Sequence, residues 1–168
     1  MSVGTAAFLV IVLFTVHEFD EIIRVVPWIG RRAADPRFAR DTWISRRDSY
    51  PSTEAVAAMI GEEIVLLSLI LAVAVVANAM PVVLAVAAVN SIHLITHLVL
   101  AGRVRAWNPG SVTAAITLLP NIALIVLAIA QGMSVVWWLV ATAALELVLA
   151  ANLSALHRLA PTIHKRIQ

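Results

Sequence analysis

Three groups of ionisable side chains interrupt otherwise apolar stretches of this sequence: His17, Glu18, Asp20 and Glu21; Glu62 and Glu63; and His93 with His97. A charged group at membrane depth costs several kcal/mol unless it is paired, bound to a metal or facing a polar cavity, so such residues mark a functional site by default. Carboxylates and imidazoles are also ligands that Zn, Fe and Mn accept. The chain has no cysteine, which excludes disulfides, thiolate sites and cysteine nucleophiles. Any metal must therefore be held by nitrogen and oxygen.

Helical periodicity groups these residues. At about 100° per residue, His17, Asp20 and Glu21 share one arc of a helix, and Asn90, His93 and His97 share one arc of another. Imidazoles four residues apart can hold one ion from a single helix face. The expected ligands are His17, Asp20, Glu21, Glu63, His93 and His97, around one or two ions of Zn, Fe or Mn. Glu62 and Glu63 point about 100° apart, so only one can face a shared site. Glu63 is assigned as the ligand, and Glu18 and Glu62 are the expected catalytic bases. The segment His17-Glu18-Phe19-Asp20-Glu21 is not a zincin motif, because Glu21 stands where the second histidine is needed.

Arg24 can pair with Asp20 or Glu21 across one helical turn. Thr113, Thr117 and Asn121 form a polar stripe suited to hydrogen bonding between helices. Glu146 sits alone in an apolar run and needs a partner. With Asn90, the residues Arg24, Thr117, Asn121 and Glu146 are expected to support the ligands or touch substrate. His157 and His164 fall at or beyond the last apolar boundary and read as surface residues.

The elements that must position these groups are long apolar helices. The sequence is 61% hydrophobic with a mean hydropathy of +0.94, far from the composition of a soluble globular domain. Five stretches can each supply the roughly 20 residues that cross a bilayer: 4–26, 53–77, 81–102, 111–131 and 134–157. Pro27 is expected to end the first, Pro81 to open the third, and Asn108-Pro109-Gly110 and Gln131-Gly132 to separate the last three. The fold class predicted is all-α, a five-helix membrane bundle forming one domain over 1–168. The first run lacks a basic leader and a small-residue cleavage site, so it is expected to remain as a span.

One substantial loop, 28–52, carries Arg31, Arg32, Arg37, Arg40, Arg46 and Arg47 interleaved with Trp28, Phe38, Trp43 and Tyr50. Such a segment suits the membrane interface, and beside five spans its basic charge does not point to nucleic acid. Arg103 and Arg105 follow the third span, and Arg158, Lys165 and Arg166 follow the fifth, while 1–4, 78–80 and 131–134 carry no Lys or Arg. The positive-inside rule then sets the loop and C-terminus in the cytoplasm and the N-terminus outside. The clusters on the first three spans all fall in the cytoplasmic half at similar depth, as one shared site requires.

The same residues resemble the HXXEE-domain membrane proteins. His17-Glu18-Phe19-Asp20-Glu21 followed by Pro27-Trp28 is similar to that family's opening signature, with Asp20 replacing the first of its two acids. The stretch Asn90 to His97, then Arg103 and Trp107-Asn108-Pro109-Gly110-Ser111-Val112-Thr113-Ala114, is similar to its histidine-bearing helix, basic residue, Pro-Gly turn and following helix ending near Pro120. The similarity spans most of 10–121 and implies a shared site without naming a reaction.

The function expected is an intramembrane metal-dependent enzyme, hydrolytic or oxidative, acting on a lipid or other hydrophobic small molecule. A divalent-cation or proton transporter using the same residues is the alternative, and at this size it would require a homo-oligomer. A bis-histidine haem protein is the third reading, which the many carboxylates disfavour.

Overall fold

The computed structural model describes residues 1–39, 44, 47 and 50–167, with the side chains of 157 and 160–167 outside that description. Arg40, Trp43 and Arg46 of the basic loop, and the side chains of His157 and His164, lie outside the described residues. Five α-helices and one short 3-10 turn make up the described chain, with no strand among them. They are α1 (Val3–Arg32), α2 (Thr53–Val76), α3 (Met80–Val104), α4 (Ser111–Ala130) and α5 (Val135–Ile167). Four of them, α2, α3, α4 and the Val135–Leu156 part of α5, are long and apolar enough to cross a membrane. The helix α1 is not among the four. Its 30 residues give ample length, but its second half carries Glu18, Asp20, Glu21 and Arg24.

The helix ends follow local chemistry. Ser2 and Ser52 cap α1 and α2, each accepting a hydrogen bond from a backbone N–H three residues on. Pro81 lies in the first turn of α3, where its missing N–H has no partner to lose. Pro27 differs from expectation, since α1 continues through it to Arg32. A proline inside a helix forfeits one backbone hydrogen bond. Here the segment beyond it is anchored by Val25, Trp28 and Ile29, which pack with Phe38 and Ile44. Pro120 likewise lies inside α4 rather than near its end.

Two apolar layers bracket the ionisable residues. The larger fills the half of the bundle where α1 and α3 begin, with Val10 and Phe14 of α1, Leu67 and Leu71 of α2, Val83 and Leu84 of α3, and Leu124 of α4. The smaller layer closes the other end, where Trp28 meets Phe38 edge to face at 5.4 Å. Along α1 the order is core, His17 to Glu21, then the second layer. Along α3 it is core, His93 and His97, then Val104 packed against the second layer.

This second layer changes the reading of the basic loop. Trp28 and Phe38, expected at headgroup level, also pack within the chain itself, at 8% and 2% exposure. Arg32 and Arg37 lie over the Phe38 ring at 5.1 and 5.7 Å. Both guanidinium groups also meet Asp35, Arg37 through two nitrogens. The Arg37 hydrogen bonds hold the Asp35 carboxyl down at about 2 from an ordinary 3.8. A depressed folded value means that this pairing contributes fully above the unfolded value and fades as pH falls through about 2. An NMR titration of the Asp35 carboxyl carbon should have its midpoint near 2. A midpoint at 3.8 would show that the fork with Arg37 is not held.

Candidate metal centre

Four side chains from two helices converge between the layers. His17 and Glu21 lie one turn apart on α1, and His93 and His97 one turn apart on α3. One potential ligand atom from each lies within 4.8 Å of every other. The Glu21 carboxylate oxygen Oε1 is the hub, with the Nε2 atoms of His97, His17 and His93 at 2.6, 3.5 and 3.6 Å. The three imidazole rings stand edge to face, their centroids 4.6 to 5.0 Å apart. His17 is fully buried and His97 is 4% exposed, while the His93 side chain is 42% exposed and faces a cavity.

The hydrogen bonds behind the rings orient their lone pairs. His97 Nδ1 lies 3.1 Å from the Pro109 carbonyl, which can only accept, so Nδ1 carries the proton. In the neutral ring, Nε2 then presents a lone pair toward Glu21. His17 Nδ1 lies 3.2 Å from Thr113 Oγ1. That hydroxyl has two acceptors of its own, Gly110 O at 3.0 Å and Asp20 Oδ2 at 3.3 Å, so it donates to one of them and accepts from His17. Again Nε2 is left as an acceptor facing the hub. His17 Nε2 and Glu21 Oε1 are indeed buried with no hydrogen-bond partner. Buried acceptors aimed at one another call for a proton or a cation between them, and His93 Nε2, 3.1 Å from His97 Nε2, shares one such position. Three nitrogens and a carboxylate oxygen form a set that suits a divalent transition metal.

The turn between α3 and α4 closes the site. Gly110 caps α4 at φ +78°, a left-handed conformation that disfavours any residue with a Cβ. A Cβ placed there would lie 2.6 Å from His97 Nδ1 and 3.0 Å from Glu21 Oε1, so the backbone approaches the cluster as closely as a backbone can. The Gly110 N–H donates to Asp20 Oδ2 at 3.1 Å.

Of the expected ligands, the structure gathers His17, Glu21, His93 and His97, and it leaves two outside the group. Asp20 is turned toward Arg24, whose Nε lies 2.6 Å from Oδ1, and toward Gly110 and Thr113. Its carboxylate braces the turn. Glu63 lines the adjoining cavity without joining the four ligand atoms. The expected bases separate in the same way. Glu18 is 4% exposed, lines the cavity and lies 3.7 Å from His93 Nε2. Glu62 is exposed and accepts a hydrogen bond from Asn152 of α5 at 2.9 Å, so it is removed from the site. The 100° between adjacent residues directs Glu63 inward and Glu62 out.

The supporting residues divide too. Arg24 is 56% exposed on the outer side of Asp20. Asn90 is buried and Glu146 is exposed, and both line the cavity. Thr117 is buried and donates to the Thr113 carbonyl of its own helix, and Asn121 is buried on the same face of α4. Neither lines the cavity. Thr113, Pro109 and Gly110 were not expected at the site. Their signal was the Pro-Gly turn itself, where glycine marks a close backbone approach.

The model of a family described as proteins of unknown function with an HXXEE motif matches residues 8–126. The chain belongs to that family. No curated protein and no solved structure matches it. The HXXEE-motif region includes every residue of the cluster and of the turn that closes it. It stops within α4 and leaves out α5. In this member the two acids of the motif do different work: Glu21 enters the cluster, and Asp20 holds the backbone that packs against it. A shorter carboxylate suffices for the second task.

Proposed function

We propose that this protein is a membrane-embedded, metal-dependent enzyme acting on a hydrophobic small molecule. The observation that carries the reading is the convergence of three imidazole Nε2 atoms on the Glu21 carboxylate, two of these four atoms being buried without hydrogen-bond partners. His17, Glu21, His93 and His97 would hold one ion of Zn, Fe or Mn, the number that a single four-atom group suits. Such an ion supplies Lewis acidity, polarising a substrate oxygen or acidifying water.

The chain's own residues do the rest. Glu18 lines the cavity beside His93, placed to accept a proton at Oε1 from a molecule in the cavity. Thr113 and the Pro109 carbonyl fix the His17 and His97 rings through Nδ1, keeping Nε2 available. The cavity, about 480 Å³ and mainly apolar, lies against Glu21 and His93 and is of a size for a small molecule. By the distribution of Arg and Lys, the site end of the bundle faces the cytoplasm and the N-terminus lies outside.

Both other readings fit less well. Glu21 lies among the three imidazoles, where a bis-histidine haem would need room for its porphyrin plane. A transport path would have to continue through the Val10, Phe14 and Leu84 layer, which is apolar and closely packed.

Incubating metal-loaded protein with a membrane lipid extract, followed by lipid mass spectrometry, tests the activity. At least one species should be consumed, and Glu18→Gln protein that keeps its metal should consume it at least about 100-fold more slowly, as expected for loss of a general base. Metal or proton flux across proteoliposomes with every lipid unchanged would contradict the enzyme reading. Thr113→Val should weaken metal affinity by about 10- to 100-fold through loss of the His17 support, measured by competition with a chelator.

A further inference from the structure

The cavity has a polar chemistry of its own, distinct from the metal cluster. It lies among α1, α2, α3 and α5, is partly open, and is walled by apolar side chains such as Phe14, Met59, Leu67 and Leu149. The ionisable groups lining it are Glu18, Glu21, Glu63, Glu146, His93 and the Tyr50 phenol, with no Lys or Arg among the described residues. Asn90 also lines it. This side chain is 4% exposed, and neither its amide nitrogen nor its amide oxygen has a hydrogen-bond partner. A buried amide without partners is costly unless something in the cavity completes it. Asn90 lies three residues before His93 on the same helix face, so a group bound at the amide sits beside the cluster.

We infer that this cavity binds a single-chain amphiphile with an amine head, the head held by Asn90 among the cavity carboxylates and the chain laid along the apolar walls toward α2 and α5. An ammonium has three donors and no acceptor. It matches the Asn90 carbonyl and the carboxylates, and its charge compensates the buried Glu18 as a neutral head would not. A fatty acid or a phosphate-bearing lipid would add negative charge to a cavity lined by four carboxylates and a single imidazole, His93. Glu146 is exposed on α5 and lines the same cavity, adding a carboxylate that a cationic head can meet. Met59, on the α2 wall of the cavity, packs with Leu156 of α5. Naming the bound molecule as substrate rests on the enzymatic reading above, but binding itself does not.

The test compares dodecylamine, dodecanol and dodecanoate, which share a chain and differ in the head. Each is titrated at equal bilayer mole fraction into the full-length protein in nanodiscs, with metal content measured on the same samples. Dodecylamine should bind at least tenfold more tightly than either of the others. Asn90→Leu should remove that preference and weaken amine binding at least tenfold with metal content unchanged. Glu146→Gln, which alters an exposed position, should lower the amine preference over the alcohol and serves if the Asn90 variant does not fold. Equal binding of the three heads, tighter binding of dodecanoate, or unaltered binding in a folded Asn90 or Glu146 variant would overturn the inference. Selective amine binding by protein that holds no metal would leave it standing and contradict the metal centre instead.

Discussion

His97→Ala protein is expected to fold and to lose its metal, with affinity reduced by more than the roughly 100-fold that removal of a supporting partner can cost. His97 is the imidazole nearest the hub, 2.6 Å from Glu21 Oε1, and the one whose tautomer is fixed by a backbone carbonyl. Folding should survive, because the ring is not part of either apolar layer. Removing the ring deletes its contacts with Glu21, His93 and the Pro109 carbonyl in the metal-free state. Metal-free His97→Ala should therefore unfold somewhat more readily than metal-free wild type, whereas the metal-loaded wild type should be stabilised further, according to its affinity. Thermal unfolding with and without chelator separates these terms. A variant with wild-type metal content would show that His97 is not a ligand.

Gly110→Ala is expected to be the more damaging change, because it acts on backbone and site together. The left-handed conformation at φ +78° costs an alanine about 1 to 2 kcal/mol. A methyl group 2.6 Å from His97 Nδ1 adds an overpacking cost of about 1 to 3 kcal/mol. Relief requires either the turn or the His97 ring to move, and a moving turn carries with it the Gly110 N–H that meets Asp20. The expected result is a fall in the metal-free unfolding midpoint together with loss of metal. Gly61→Ala, inside α2 where an added Cβ meets nothing within 4 Å, is the control: it should leave metal content unchanged and, as an alanine in a helix interior, not lower the unfolding midpoint. A Gly110→Ala protein with normal stability and metal content would mean that the α3–α4 turn does not press on the cluster.

Much of this arrangement could be read from residue types and spacing, and the parts that could not have definite physical reasons. Helical extents follow from apolar length, so α2 to α4 fall within two residues of the stretches read from sequence. The meeting of His17 and Glu21 with His93 and His97 follows from their matched arcs and depth. Asp20 shares that arc, and periodicity alone cannot tell that its carboxylate turns to Arg24 and Gly110 instead. A competing donor on a neighbouring turn decides the direction. For Glu62 and Glu63 the spacing required that only one face inward, and the packing of α2 against α1 and α5 selects Glu63. Pro27 shows the limit of breaker residues: the lost hydrogen bond is outweighed by the burial of Trp28 and Ile29. Gly110 and Thr113 lie in the Pro-Gly turn and polar stripe visible in the sequence, but their contact with rings on α1 and α3 is a tertiary property.

The shell around a bound ion is the most direct test of a centre built on His17, Glu21, His93 and His97. X-ray absorption fine structure at the metal edge of protein loaded with one equivalent of Zn should give a nitrogen and oxygen shell near 2.0 to 2.1 Å, with the outer-shell scattering of three imidazole rings. Glu21→Gln should alter the oxygen contribution and leave the imidazole scattering in place. A shell of oxygen alone, with no imidazole signature, would contradict a centre built on His17, His93 and His97.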